Sequence, residues 1–376
     1  MSDDVRAGLE GVTVAETSLS RVDGEAGELV VGGYPVEELA GNATYEEVVF
    51  LLLEGRLPTA DELDSFRADL AARREIGEEV RNVLRRAADE GLPAMDALRM
   101  GVAAANLGGE TGDERETASR VIAVVPTVVA TYWRYREGLA PVDPRPELGH
   151  AANYLFMLTG EQPTERAVRG LESYLVTVVD HGLNASTFTA RTVVSTESDV
   201  VSGATAAVGA LKGPLHGGAP GPVLDMLREI HERGDPGTYV RETLEGGERL
   251  MGFGHRVYRV RDPRAAVLSE AAEQFYAGSG QAEFFETVER FERVAVKALA
   301  EHKPDRPLET NVEFYTAPLL WGVGVPPELF TATFAVSRVG GWTAHCLEQL
   351  ADNRIVRPVA TYTGPTGRTW TPVEER

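Results

Sequence analysis

Residues 167–178 read AVRGLESYLVTV and residues 284–298 read FFETVERFERVAVKA. In the first, Ala167, Val168, Leu171, Tyr174, Leu175 and Val178 recur three and four residues apart; in the second, Phe284, Phe285, Val288, Phe291, Val294, Ala295 and Ala298 do the same. That spacing gathers each apolar set on one side of an α-helix, whereas a strand would scatter it over both faces. Most of the chain carries this period, so the fold class read from it is all-α. Strand-like text is confined to Thr13–Gly33, where GEAGELVVGG (24–33) supplies turn glycines and a short Val run, and to the last twenty residues around Thr361 and Tyr362. Segments such as Thr59–Glu90 carry many Arg and Glu pairs at helical spacing, the pattern of solvated outer helix faces.

At 376 residues the chain is long enough for two domains or one large one, with a sizeable core. No internal repeat and no Gly/Ser- or Pro-rich linker divides it, so a second domain would have to be inserted rather than strung on. The formal charge is -21, and all but three of the 37 basic side chains are arginine, the lysines being Lys212, Lys297 and Lys303. So acidic a chain repels a phosphate backbone, which argues against nucleic acid as a general partner. Acidic excess with scarce lysine resembles the surface of salt-adapted proteins, whose carboxylates stay hydrated while concentrated salt screens their repulsion. The single Cys346 excludes an intrachain disulfide, and no Cys/His spacing matches a zinc site, so no metal is expected. The opening MSDDVRAGLEG has neither a basic n-region nor an apolar h-region, and the longest apolar run, Val121–Trp133, is short and broken by Pro126. A soluble, cytoplasmic protein with no membrane partner is the expectation.

Three of the seven histidines sit among small or charged neighbours: His181 in VVDHGLNAS, His216 in LKGPLHGGAPG and His255 in MGFGHRVYRVRDPRA. His150, His231, His302 and His345 lie in helical text and read as ordinary surface or packed residues. Around His216 the glycines force a turn where backbone can approach a ligand closely, although they would serve helix packing equally well. After His255 come Arg256, Arg259, Arg261 and Arg264, a local cationic excess near a turn, suited to gripping a small, multiply negative anion. In TNVEFYTAPLL, Glu313 lies among aromatic and apolar residues, a setting that raises a carboxyl pKa towards the range of a useful base; it could also be a helix-start carboxylate. Arg338 and Arg357 are open to either substrate binding or structural ion pairing.

Taken in order, DHGLNAS, GPLHGG, GFGHRVY…DPR, NVEFY and SR…GWTAHCLEQ…NRIVRP resemble the citrate synthase family, almost end to end. The opening SRVDGEAGELVVGGYPVEELA also looks like that family's N-terminal segment. The resemblance implies an all-α, two-domain fold in which a small helical domain, residues 215–322, is inserted into a large one formed by 1–214 and 323–376. It implies condensation of acetyl-CoA with oxaloacetate and water to give citrate and CoA, a step of the tricarboxylic acid cycle, with no cofactor beyond the CoA thioester substrate. Glu313 would take the methyl proton, His216 would hydrogen-bond the developing enolate oxygen and His255 would activate the ketone. His181, Arg264 and Arg338 look like carboxylate clamps, with Arg357 lent across a homodimer that shares its active sites. Gly252, Arg259 and Asn311 match CoA contacts.

One departure stands out: many family members have Asp in the NVDFY position where this chain has Glu313. The extra methylene moves the carboxylate by about a bond length, enough to change rate or acyl preference. The nearest alternative is therefore 2-methylcitrate synthase, acting on propionyl-CoA. A catalytically silent homologue that senses CoA or oxaloacetate is a third reading, and it would have lost a catalytic residue, whereas His216, His255 and an acid at 313 are all present.

Overall fold

The glycine-bracketed text near the N-terminus forms a three-stranded sheet in the computed structural model, which describes residues 5–106, 113–217, 220–254, 258, 260–277, 279–304 and 308–376. Strands β1 (Ser20–Asp23), β2 (Glu28–Val31) and β3 (Tyr34–Pro35) are antiparallel in chain order, with Ser20 opposite Val31 and Val31 opposite Tyr34. The strand expected around Thr361 and Tyr362 does not form. A short extended run becomes a strand only where a neighbour takes its backbone groups, and residues 353–372 are an exposed tail in no strand.

Among the described residues the other regular elements are helical. The first helices are α1 (Val36–Leu39), α2 (Tyr45–Glu54), α3 (Ala60–Ala72), α4 (Glu78–Asp89), α5 (Ala94–Ala103) and α6 (Glu114–Arg136). There follow α7 (His150–Thr159), α8 (Glu165–Val178), α9 (Ala185–Val194), α10 (Val200–Leu211), α11 (Pro220–Arg233) and α12 (Pro236–Glu245). The last are α13 (Pro263–Tyr276), α14 (Ala282–His302), α15 (Val312–Gly322) and α16 (Phe330–Ala351). Starts are set locally: Thr44 and Thr59 each close a capping box with the Glu three residues on, satisfying free N–H groups of the first turn.

The apolar run that contains Pro126 is not broken, because α6 passes straight through it. Residues 118–132 of α6 are buried almost without interruption, as befits a helix apolar on every side. Helix α16 is buried likewise and packs on α2, α5, α6, α8, α9 and α10. Its Gly340–Gly341 pair permits that intimacy. A Cβ at 340 would lie 3.0 Å from the Tyr45 hydroxyl, and one at 341 would lie 2.4 Å from the Val179 carbonyl oxygen. The same principle holds one turn on, where Gly203 of α10 leaves room for the sulfur of Cys346, which is fully buried. Elsewhere the core is aromatic: Phe275, Tyr276, Phe284, Phe285, Phe291, Phe314 and Tyr315 meet ring on ring where α13, α14 and α15 converge. Helices α13 and α15 both pack on α8, so α8 joins the two cores. No helix among the described residues is long and apolar enough to cross a membrane.

Candidate active site

His216 follows α10 in a turn closed by its own N–H to the Gly213 carbonyl. Its Nε2 lies 2.7 Å from Ser186 Oγ and 3.3 Å from the Ser186 N–H. Ser186 is fixed in turn: Asn184 caps α9 by accepting from Ser186 N and Thr187 N, and Trp342 Nε1 donates to Ser186 Oγ at 3.0 Å, which leaves the single hydroxyl proton of Ser186 for His216 Nε2. A backbone N–H can only donate, so Nε2 is the accepting nitrogen and the ring proton sits on Nδ1. Burial, aided by the Arg338 charge, pulls His216 down to about 4, so the imidazole is neutral at pH 7.

Arg338, in the middle of α16, is buried; its Nε donates to Val178 O at 2.6 Å and its guanidinium lies 4.4 Å from the Phe334 ring centre. Its Nη groups make no hydrogen bond among the described residues. Burial lowers its pKa to about 10, with Arg264 adding to the shift and Asp180 opposing it, so it stays cationic. The segment after α8 brings His181 alongside, its Nε2 3.1 Å from the Tyr258 hydroxyl.

Glu313 opens α15. Asn311 caps that helix by accepting from Glu313 N, while its amide donates to Gly254 O and its own N–H to Gly252 O. Residues 252–254 are thereby laced to 309–311. Gly252 sits at φ 86 against Phe314, whose Cα would be 3.2 Å from any Cβ there, so only glycine fits. The Glu313 carboxylate has no hydrogen-bond partner among the described residues. Burial pushes its pKa up to about 7, against the pull of Arg264 and with the help of Asp262. Arg264, one residue into α13, grips Asp262 with two bonds of 3.0 and 2.8 Å, and both are buried.

The structure therefore brings His216, Arg338, Arg264 and Glu313 into one electrostatic neighbourhood, since Arg338 acts on His216 and Arg264 acts on both Arg338 and Glu313. His255 and Arg259 lie outside the described residues. Arg357 is not part of the group: it is exposed on the tail, beside Val12, Val14 and Phe188 around a groove of 840 Å³. Several residues escaped the sequence reading. Ser186 holds His216 and is itself held by Trp342, Asp262 engages Arg264, and Asp180, bonded to His345, acts on Arg338. Tyr174, read only as a core position, buries an unpartnered hydroxyl that desolvation and Glu313 hold well above the usual range. Among the described residues, no cluster of three or more His, Cys, Asp or Glu could hold a metal ion.

The family model described as citrate synthase, C-terminal domain, matches residues 8–359. The chain belongs to the citrate synthase family. It is 45% identical to the citrate synthase of Haloferax volcanii across the whole of both chains. It is 38% identical to a 2-methylcitrate synthase of Mycobacterium tuberculosis, over 96% of this chain and 91% of that one. Among solved structures, the citrate synthase of Thermoplasma acidophilum, in ternary complex with carboxymethyl coenzyme A and oxaloacetate, is similar at a TM-score of 0.86 and 32% identity, covering 99% of this chain and 100% of that one. The family is one of acyltransferases, and the all-α architecture and enzyme class expected from the motifs are those of these relatives.

Proposed function

We propose that the chain condenses acetyl-CoA with oxaloacetate and water to give citrate and CoA. The observation that carries this reading is the pairing of a neutral His216, held by Ser186, with an unpartnered Glu313 carboxyl poised near 7. Glu313 takes a proton from the methyl carbon of the thioester, and the electron pair moves onto the thioester oxygen, where His216 donates through Nδ1. The nucleophilic carbon then attacks the ketone of oxaloacetate while His255 gives its oxygen a proton, and water cleaves the citryl thioester, releasing CoA.

Arg338, buried with free Nη donors, suits one carboxylate of the dianion, and His181 and Arg264 complete the clamp. Arg357 reaches the site of a second copy. Its support is the exposed tail, which carries Ile355, Val359, Tyr362, Trp370 and Val373 uncovered, apolar surface that a homodimer would bury. Arg259 meets CoA; Gly252 and Asn311 assist by shaping the 252–254 segment. Residues 215–322 form the inserted small domain, whose closure on 1–214 and 323–376 excludes water while the enolate exists. The protein works in the cytoplasm of a salt-adapted cell, without a cofactor. A 2-methylcitrate synthase activity on propionyl-CoA is the second reading, favoured by the Mycobacterium relative. Thiol release is the test: CoA should appear from acetyl-CoA only with oxaloacetate present and faster than from propionyl-CoA. No oxaloacetate-dependent release at any salt concentration that keeps the protein folded overturns the proposal.

A further inference from the structure

His345, which reads as an ordinary helical histidine, is fully buried and sits between two charged groups from distant parts of the chain. Its Nδ1 is 3.0 Å from Arg191 Nη1, and its Nε2 is 3.1 Å from Asp180 Oδ2. Arginine can only donate, so Nδ1 accepts and the ring proton sits on Nε2, directed at Asp180. Arg191 is itself immobilised by Glu348 at 2.6 Å and Gln349 at 3.1 Å. The same Asp180 oxygen receives Ser20 Oγ at 2.5 Å, and Ser20 Oγ accepts the N–H of Gly182, the residue after His181. Burial alone would raise the Asp180 pKa, but His345, Arg338 and Ser20 together hold it below the usual value, so it is a carboxylate. Its charge falls on Arg338.

We propose that His345 is a positioning residue for the 2-oxo acid. Through Asp180 it sets Arg338 by charge, and through Asp180 and Ser20 it sets the loop that carries His181. This rests on the reading of Arg338 and His181 as oxaloacetate contacts. Cohesion alone does not account for the arrangement, because a buried polar chain is a poor source of stability compared with apolar packing of equal volume. This chain has a direction, from Arg191 through a single tautomer to Asp180, and it ends on Arg338 and on the loop that carries His181.

Two substitutions separate its parts in the full-length protein. His345→Asn keeps an acceptor near Nδ1 for Arg191 but no donor that reaches Asp180, whereas His345→Gln places an amide donor near Nε2. His345→Asn should raise the KM for oxaloacetate about tenfold, with the KM for acetyl-CoA within twofold and kcat within about threefold. His345→Gln should restore most of the loss. Ser20→Ala, on the edge strand β1, should raise the same KM about threefold with a fall in Tm small enough to leave the protein folded, and it decides the matter if the His345 variants fail to fold. Parallel changes in both KM values, equal defects in the Asn and Gln variants, or an unchanged oxaloacetate KM in Ser20→Ala would each overturn the proposal. A wild-type protein that releases no thiol would instead refute the activity, and oxaloacetate binding by calorimetry would then read the same three variants.

Discussion

The two walls of the site are built on opposite terms. On the His216 wall, the Nε2 edge of the imidazole is tied to Ser186, and Ser186 is tied to Trp342 and to the cap of α9. That wall grows from the glycine-spaced core around α16, where backbones touch. On the Glu313 wall the carboxylate is left without a hydrogen-bond partner, on helices that meet through stacked rings rather than close backbones. The contrast separates two chemical demands. A hydrogen-bond donor must hold one tautomer, which calls for many partners; a base must give up and regain a proton near neutrality, which calls for few.

The contrast is broken most directly at Glu313. Glu313→Gln should lower turnover about 10³-fold, since the amide keeps the shape but accepts no proton, while oxaloacetate binding stays intact; steady-state kinetics with calorimetry checks both. Next comes Arg264→Leu. Because Arg264 is the bidentate partner of buried Asp262, its loss should cost about 3 kcal/mol of stability in chemical denaturation, besides raising the KM for oxaloacetate. Ser186→Ala should cost about 2 kcal/mol by orphaning Trp342 Nε1 and should lower kcat about tenfold by freeing His216, with Ser186→Thr restoring part of both.

The smallest effect is on pH, and it has opposite signs on the two walls. The Glu313 pKa is raised from 4.5 to about 7, so the folded state holds a proton that the unfolded chain has lost, and stability falls as pH rises through that window. The His216 pKa is lowered from 6.5 to about 4, so the unfolded chain takes the proton first and stability falls as pH drops through that window. The difference in Tm between Glu313→Gln and wild type should therefore grow in favour of the variant from pH 5 to pH 8, and kcat/KM of the wild type should rise through about pH 7.

Helical period told which residues would be buried, and the small-residue turns around His181 and His216 were visible as local anomalies. What stayed hidden was whatever depends on partners far along the chain. His345 looks like packing until Asp180 and Arg191 stand on either side of it, and Ser186 is one more serine until Trp342 reaches it across the fold. Arg264 was legible as a cation, but not its grip on Asp262, because two residues of separation read as a turn rather than an ion pair. The short strand expected at Thr361 failed for the same kind of reason: extended propensity is local, whereas a ladder partner is not.

Cys346 has a practical consequence of its own. It is the sole thiol of the chain, fully buried with its sulfur against Gly203 of α10, and burial pushes its pKa up to about 12. The thiolate that attacks a disulfide reagent is therefore scarce and sheltered in the native protein. Colour that develops during turnover counts released CoA alone, and colour that develops after a denaturant jump counts unfolded chains one for one. The same reagent would thus serve as a turnover meter and, in a second cuvette without substrate, as a stopwatch for unfolding.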